Sequence, residues 1–172
     1  ADPSGIVRYQ PPRYMLIPQL IRQLLAAAKE HKVDYLDPDR TLTVQDDFAG
    51  QVVILNLWGQ WCGPCRAESD DLQRLQEEYE PRGATVFGIN LRDPNRQKPV
   101  DFVRDNGITY PSIWDPSNAA VAALRGFPTS VVPATIILDK QHRVAAVYLA
   151  EITDDELSET VDRILAEEVE QT

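Results

Sequence analysis

Residues 52 to 58 read Val-Val-Ile-Leu-Asn-Leu-Trp, an apolar run broken by a single asparagine. Such a run is what a central strand covered on both faces requires. Four residues on come Cys62-Gly63-Pro64-Cys65, and from there apolar residues recur at helical spacing to Tyr79, stopping before Pro81 and Gly83. Pro64 suits a helix's first turn, where its missing N–H deprives no partner. A buried strand passing into a helix at a cysteine pair commits the chain to strand–helix–strand crossovers over a sheet.

The rest of the chain fits that commitment. Leu20, Ile21, Leu24, Leu25 and Ala28 keep helical spacing between Pro18 and His31. Residues 1–14 read as an irregular arm, and "TLTVQDDFAGQ" as a short strand and turn. "TVFGIN" (85–90) is a second buried strand, 99–106 a helix ending at Asn106-Gly107, "SIWD" a short strand and 118–124 a short helix. "ATIILD" and "VAAVYL" pair as a hairpin through "KQHR". The last helix opens on a capping box, Thr153-x-x-Glu156, with Leu157, Val161, Ile164 and Leu165 on one face. The order predicts a mixed sheet with helices on both faces. Residues 1–40 form an arm and helix packed on a domain of residues 41–172.

At 172 residues the chain has the length of one domain, and 43% hydrophobic with 26% charged residues is a soluble globular mix. No apolar run nears the roughly 18 residues of a membrane span, and the first residues lack the basic start and apolar stretch of a signal peptide. The chain therefore reads as cytosolic, or as the mature part of something larger. Residues 151–172 carry nine acids against one base, which is −8 of the net −10. That helix presents a solvated face, and no basic stripe offers itself to nucleic acid.

Two cysteines three positions apart can hold metal, form a local staple or exchange electrons. Zinc needs four ligands, and His31 and His142, both expected at the surface, lie far away in sequence. A staple closing so short a loop constrains little of the unfolded chain. The redox reading has geometry behind it. Cys62 falls at a helix N-terminus, where free N–H groups and the helix dipole lower a thiol pKa. Cys65, a turn along, is near enough to close a disulfide. Cys62, at the exposed end, is the attacking thiol and Cys65 the resolving one.

Glu68 stands out by position. At about 100° per residue it shares a stripe with Leu72, Leu75 and Tyr79, the core-facing positions, whereas Asp70, Asp71, Glu77 and Glu78 point elsewhere. A carboxyl turned inward has its pKa raised by desolvation, and beside Cys65 it can exchange that thiol's proton. The plainer alternative is a helix acid reaching out to water. Val132-Pro133 precedes a predicted strand, where proline removes a donor and leaves Val132's backbone for an extended substrate. Pro128 competes for this place, and the bond before Pro133 is one that can be cis.

These residues resemble the TlpA/ResA-like group of the thioredoxin superfamily, extracytoplasmic thiol-disulfide oxidoreductases many of which serve cytochrome c maturation. The likeness covers residues 41–166 and rests on "VVILNLWGQWCGPCRAE", "GINLRD" and "VPATIILDKQHRV". W-C-G-P-C after a buried strand marks a redox thioredoxin fold. Asn56 where thioredoxin has a buried Asp, and Glu68 three residues past the second cysteine, are marks of the group. The 67 residues between Cys65 and Pro133 match its insertion between the CxxC helix and the proline loop. "WGQWCGPCR" is nearest to actinobacterial members, often lipid-anchored or tethered. Two departures stand out: Ser69-Asp70 follow Glu68 where the group has Pro, and residues 14–31 are helical where it has a β-hairpin. That extra helix is expected either to cover a sheet edge or to form a docking or dimer surface.

The resemblance implies Cys62, Cys65 and Glu68 as the chemistry, with Trp61, Gly63, Pro64, Val132 and Pro133 lining a substrate groove. It implies no cofactor beyond the disulfide itself and no metal. Gly-Pro between the cysteines leans towards reduction. The expected clients are protein disulfides, those of apocytochrome c foremost, with a membrane disulfide carrier as electron donor. The competing readings are a disulfide-forming oxidase of secreted proteins and a client-binding module with incidental redox activity.

Overall fold

The computed structural model describes residues 20–41, 48–124, 127 and 129–167. Helix α1 (Leu20–Glu30) leads to strand β1 (Val52–Trp58), helix α2 (Gly63–Tyr79), β2 (Ala84–Leu91), α3 (Gln97–Asp105) and β3 (Ser112–Asp115). A 3-10 turn (Val121–Ala123), the hairpin β4 (Ala134–Leu138) and β5 (Val144–Tyr148), and α4 (Asp154–Ala166) complete the order. The strands form one sheet, β3-β2-β1-β4-β5, with β1, β2 and β3 parallel and β4 and β5 antiparallel. This is the mixed sheet expected from the element order and the thioredoxin-like fold that the resemblance implies.

All seven β1 residues are buried, as a strand sandwiched between two layers must be. Alternation divides them. Val53, Leu55 and Leu57 face a core shared with α1, Phe87 and the 3-10 turn. Val52 and Ile54 face α2 and α4, meeting Leu72, Leu75, Tyr79, Leu157 and Val161. Asn56 and Trp58 continue this second row, so the one polar residue of the strand looks towards α2.

Several expectations change. The strand predicted over "TLTV" falls mostly outside the described residues, as do Pro18, Pro128 and the N-terminal arm; the turn at residues 48–50 is present. The short helix at 118–124 shrinks to the 3-10 turn. Helix α1 does not guard a sheet edge: Leu20, Ile21, Leu24, Leu25 and Ala28 are at most 2% exposed and belong to the core on one sheet face. With its apolar stripe consumed inside, that stripe is no docking or dimer surface either. His31 is exposed as expected, but His142 is buried in the β4–β5 turn, its Nε2 2.8 Å from the Phe48 carbonyl oxygen. The turn folds back onto residue 48, a long-range contact that local polarity does not announce.

Candidate active site

Cys62 and Cys65 are joined as a disulfide, their Cα atoms 5.2 Å apart. Cys62 is the N-cap of α2, and its Sγ accepts the Cys65 amide N–H at 3.3 Å. Pro64 lies in the first turn, as its fixed φ favours. Cys62 is 6% exposed and Cys65 2%. The order of depth is as expected, but Cys62 is not itself exposed in the disulfide form. Exposure belongs to its neighbours Trp61, Gly63 and Pro64. Leu36 and Trp58 back the sulfur atoms, and Val132 packs against the same cluster.

The register of the sheet brings Val132-Pro133 to this end. Leu57 pairs with Ala134, so Pro133 enters beside the end of β1 from which the cysteine loop departs. The Val132–Pro133 bond is cis. Pro133 is buried, and Val131, just before this pair, is exposed.

Glu68 is 1% exposed, on the buried stripe of α2. Its Oε1 accepts Asn56 Nδ2 at 2.7 Å, and Oε2 accepts the Ile152 N–H at 3.2 Å. Asn56 Nδ2 also reaches Thr135 Oγ1 at 3.3 Å, across a β1–β4 pair. Desolvation lifts the Glu68 carboxyl from 4.5 to about 7, although both donors pull it down; Glu151 and Asp71 add to the rise. The inward carboxyl predicted from helix periodicity is therefore present, and it titrates where thiol chemistry runs.

A second polar cluster escaped the sequence reading. Asp93, 3% exposed, accepts the Gln60 N–H at 2.8 Å and Asn90 Nδ2 at 2.7 Å, while its carbonyl accepts Trp114 Nε1 at 2.7 Å. It thus ties the cysteine loop to β2 and β3. Trp61 Nε1 donates to the Leu91 carbonyl at 3.1 Å, and Trp58 Nε1 to Ser112 Oγ at 3.2 Å. "GINLRD" had contained both Asn90 and Asp93, but nothing local said that they would meet residue 60.

The arrangement is a disulfide at a helix N-terminus, a buried carboxyl one turn behind it, and the Val132-Pro133 segment alongside. Comparison with known proteins agrees. The AhpC/TSA family matches residues 26–147, well over half of the chain. The chain belongs to the AhpC/TSA family. Among curated relatives, the thiol:disulfide interchange protein DsbE of Allochromatium vinosum is 32% identical over 137 residues, 76% of this chain and 70% of that protein. The thiol-disulfide oxidoreductase ResA of Geobacillus thermodenitrificans is 27% identical over 120 residues, 69% of this chain. The chain spans 66% of that ResA's length. Among solved structures, a secreted thiol-disulfide isomerase of Corynebacterium glutamicum is 51% identical, with TM-score 0.73 over 78% of this chain and 82% of that one. A DsbF homologue from Corynebacterium diphtheriae is also 51% identical, with TM-score 0.69 over 76% and 81%. ResA is a relative of the kind the resemblance implies, and the corynebacterial structures fall within the actinobacterial group to which "WGQWCGPCR" is nearest.

Proposed function

We propose that this chain is a thiol-disulfide oxidoreductase that works outside the cytosol and reduces disulfides of client proteins. The observation that carries the reading is the Cys62–Cys65 disulfide capping α2, with Glu68 held inside the same helix. The Cys65 N–H already donates to Cys62 Sγ, a contact that would stabilise the thiolate once the disulfide is reduced. That thiolate attacks one sulfur of the client disulfide and displaces the other as a thiolate. Cys65 then attacks Cys62 Sγ, the mixed disulfide breaks, the client's second sulfur leaves as a thiolate, and the two client thiolates take their protons from water. Glu68 takes the proton from Cys65 as it becomes nucleophilic. The electron pair has moved from the protein dithiol to the client, and no other cofactor takes part.

The secreted C. glutamicum relative supports an extracytoplasmic place. Among the described residues no helix is long and apolar enough to cross a membrane. Resemblance to ResA-like proteins makes apocytochrome c cysteines the leading client and a membrane disulfide carrier the electron donor. A second reading is disulfide formation in secreted proteins, in keeping with the secreted place of that same relative. Related folds span about −270 to −120 mV, roughly 7 kcal/mol for two electrons, so the potential discriminates. A value near the thioredoxin end supports the reductase; one near the oxidising end overturns it. Cys65→Ser, expressed in cells, should accumulate mixed disulfides through Cys62, and their absence would favour client binding without redox chemistry.

A further inference from the structure

Two arginines bracket Trp61-Cys62-Gly63. Arg66 Nη1 donates to the Gln60 carbonyl at 2.6 Å, and its Nη2 lies 3.9 Å from where a Cβ on Gly63 would sit. Arg92 lies over the Trp61 ring, 5.0 Å from its centroid, and its Nη2 reaches the Ser130 carbonyl at 3.4 Å. Both side chains are exposed. Arg92 also holds φ at +53°, a backbone region that non-glycine residues seldom adopt.

Neither guanidinium has a carboxylate within 4.0 Å among the described residues, a state they share with Arg22, Arg40, Arg96 and Arg163; what sets them apart is their place at the rim of the cysteine loop. Asp93, next to Arg92 in sequence, is turned inward onto Gln60 and Asn90. Trp61 and Val131 are the exposed large hydrophobic side chains among the described residues, and both flank this site. The rim therefore offers an aromatic platform and two guanidiniums with N–H groups to spare.

We propose that Arg66 and Arg92 determine specificity, selecting client peptides that carry a carboxylate beside the reacting cysteine. The inference rests on the oxidoreductase reading. The chain's net charge of −10 works against acidic clients at long range. At physiological salt, though, fields fade over about 8 Å, so charges at the rim itself act on a bound client more strongly than the chain's net charge does. A guanidinium stacked on an aromatic ring, with its fork part-free, suits a carboxylate well.

The test uses synthetic peptides with one internal disulfide and either Glu or Gln flanking a cysteine. Each rate with the reduced protein is divided by that peptide's rate with dithiothreitol, which removes the peptide's own reactivity. The Glu peptide should react about fivefold faster than the Gln peptide with the wild-type protein. In the Arg66→Gln/Arg92→Gln variant, and in wild type near 1 M salt, that ratio should fall to about one. A wild-type ratio of one, or a ratio unchanged in the variant, overturns the inference and leaves the arginines as ties for the loop. If the wild type reduces no peptide at all, the oxidoreductase reading fails first and this inference falls with it.

Discussion

Glu68→Gln is the perturbation whose size can be worked out most directly. Burial holds the folded-state carboxyl near 7 against 4.5 in the unfolded chain. Between those values the folded protein keeps a proton that the unfolded chain has lost. Stability from this group is thus fully present below about pH 4.5 and declines as pH rises through about 7. The gap corresponds to about 3 kcal/mol. Glutamine has no such proton. Its amide loses the carboxylate's acceptor facing Ile152 N–H, a penalty that does not vary with pH. Denaturant unfolding of oxidised wild type and Glu68→Gln at pH 5 and pH 8 cancels every other titrating group in the double difference. The variant should gain about 2 to 3 kcal/mol on the wild type across that interval. A double difference under about 0.5 kcal/mol would refute the desolvation argument and return Glu68 to the class of ordinary helix acids. The same substitution should remove an inflection near pH 7 from the exchange rate, provided Glu68 handles the Cys65 proton.

Other substitutions probe the scaffold. Leu24→Ala should destabilise the whole protein by about 2 to 5 kcal/mol in a single unfolding transition, because α1 is part of the core. A separate early transition for α1 would contradict that. Gly88→Ala places a methyl against Ser112 Oγ and 3.0 Å from Trp58 Nε1. It should cost about 1 to 3 kcal/mol and alter tryptophan fluorescence, and a neutral variant would show that the strands part easily here.

Much of this site is legible in sequence because it depends on short-range periodicity. Alternation along β1 sends Asn56 to the α2 side, and helical spacing sends Glu68 inward; where the two elements pack, they bond. The strand-to-helix junction, Pro64 and the Thr153–Glu156 capping box are likewise local, and the box forms with both of its bonds. Contacts across long sequence separations are different in kind. His142 bonds residue 48, Asp93 bonds residue 60, and α1 finds a sheet face rather than an edge. Each depends on how distant segments stack, which neither charge nor period encodes.

The Ile152 amide, which donates to Glu68 from the far side of the site, makes the chemistry audible at a distance. It leads directly into the Thr153 cap of α4, so it is rigid and lies outside the cysteine loop. Its proton and nitrogen resonances should follow the ionisation of Glu68 through the redox cycle. One backbone position, untouched by mutation or by any attached probe, can then serve as the molecule's own pH electrode.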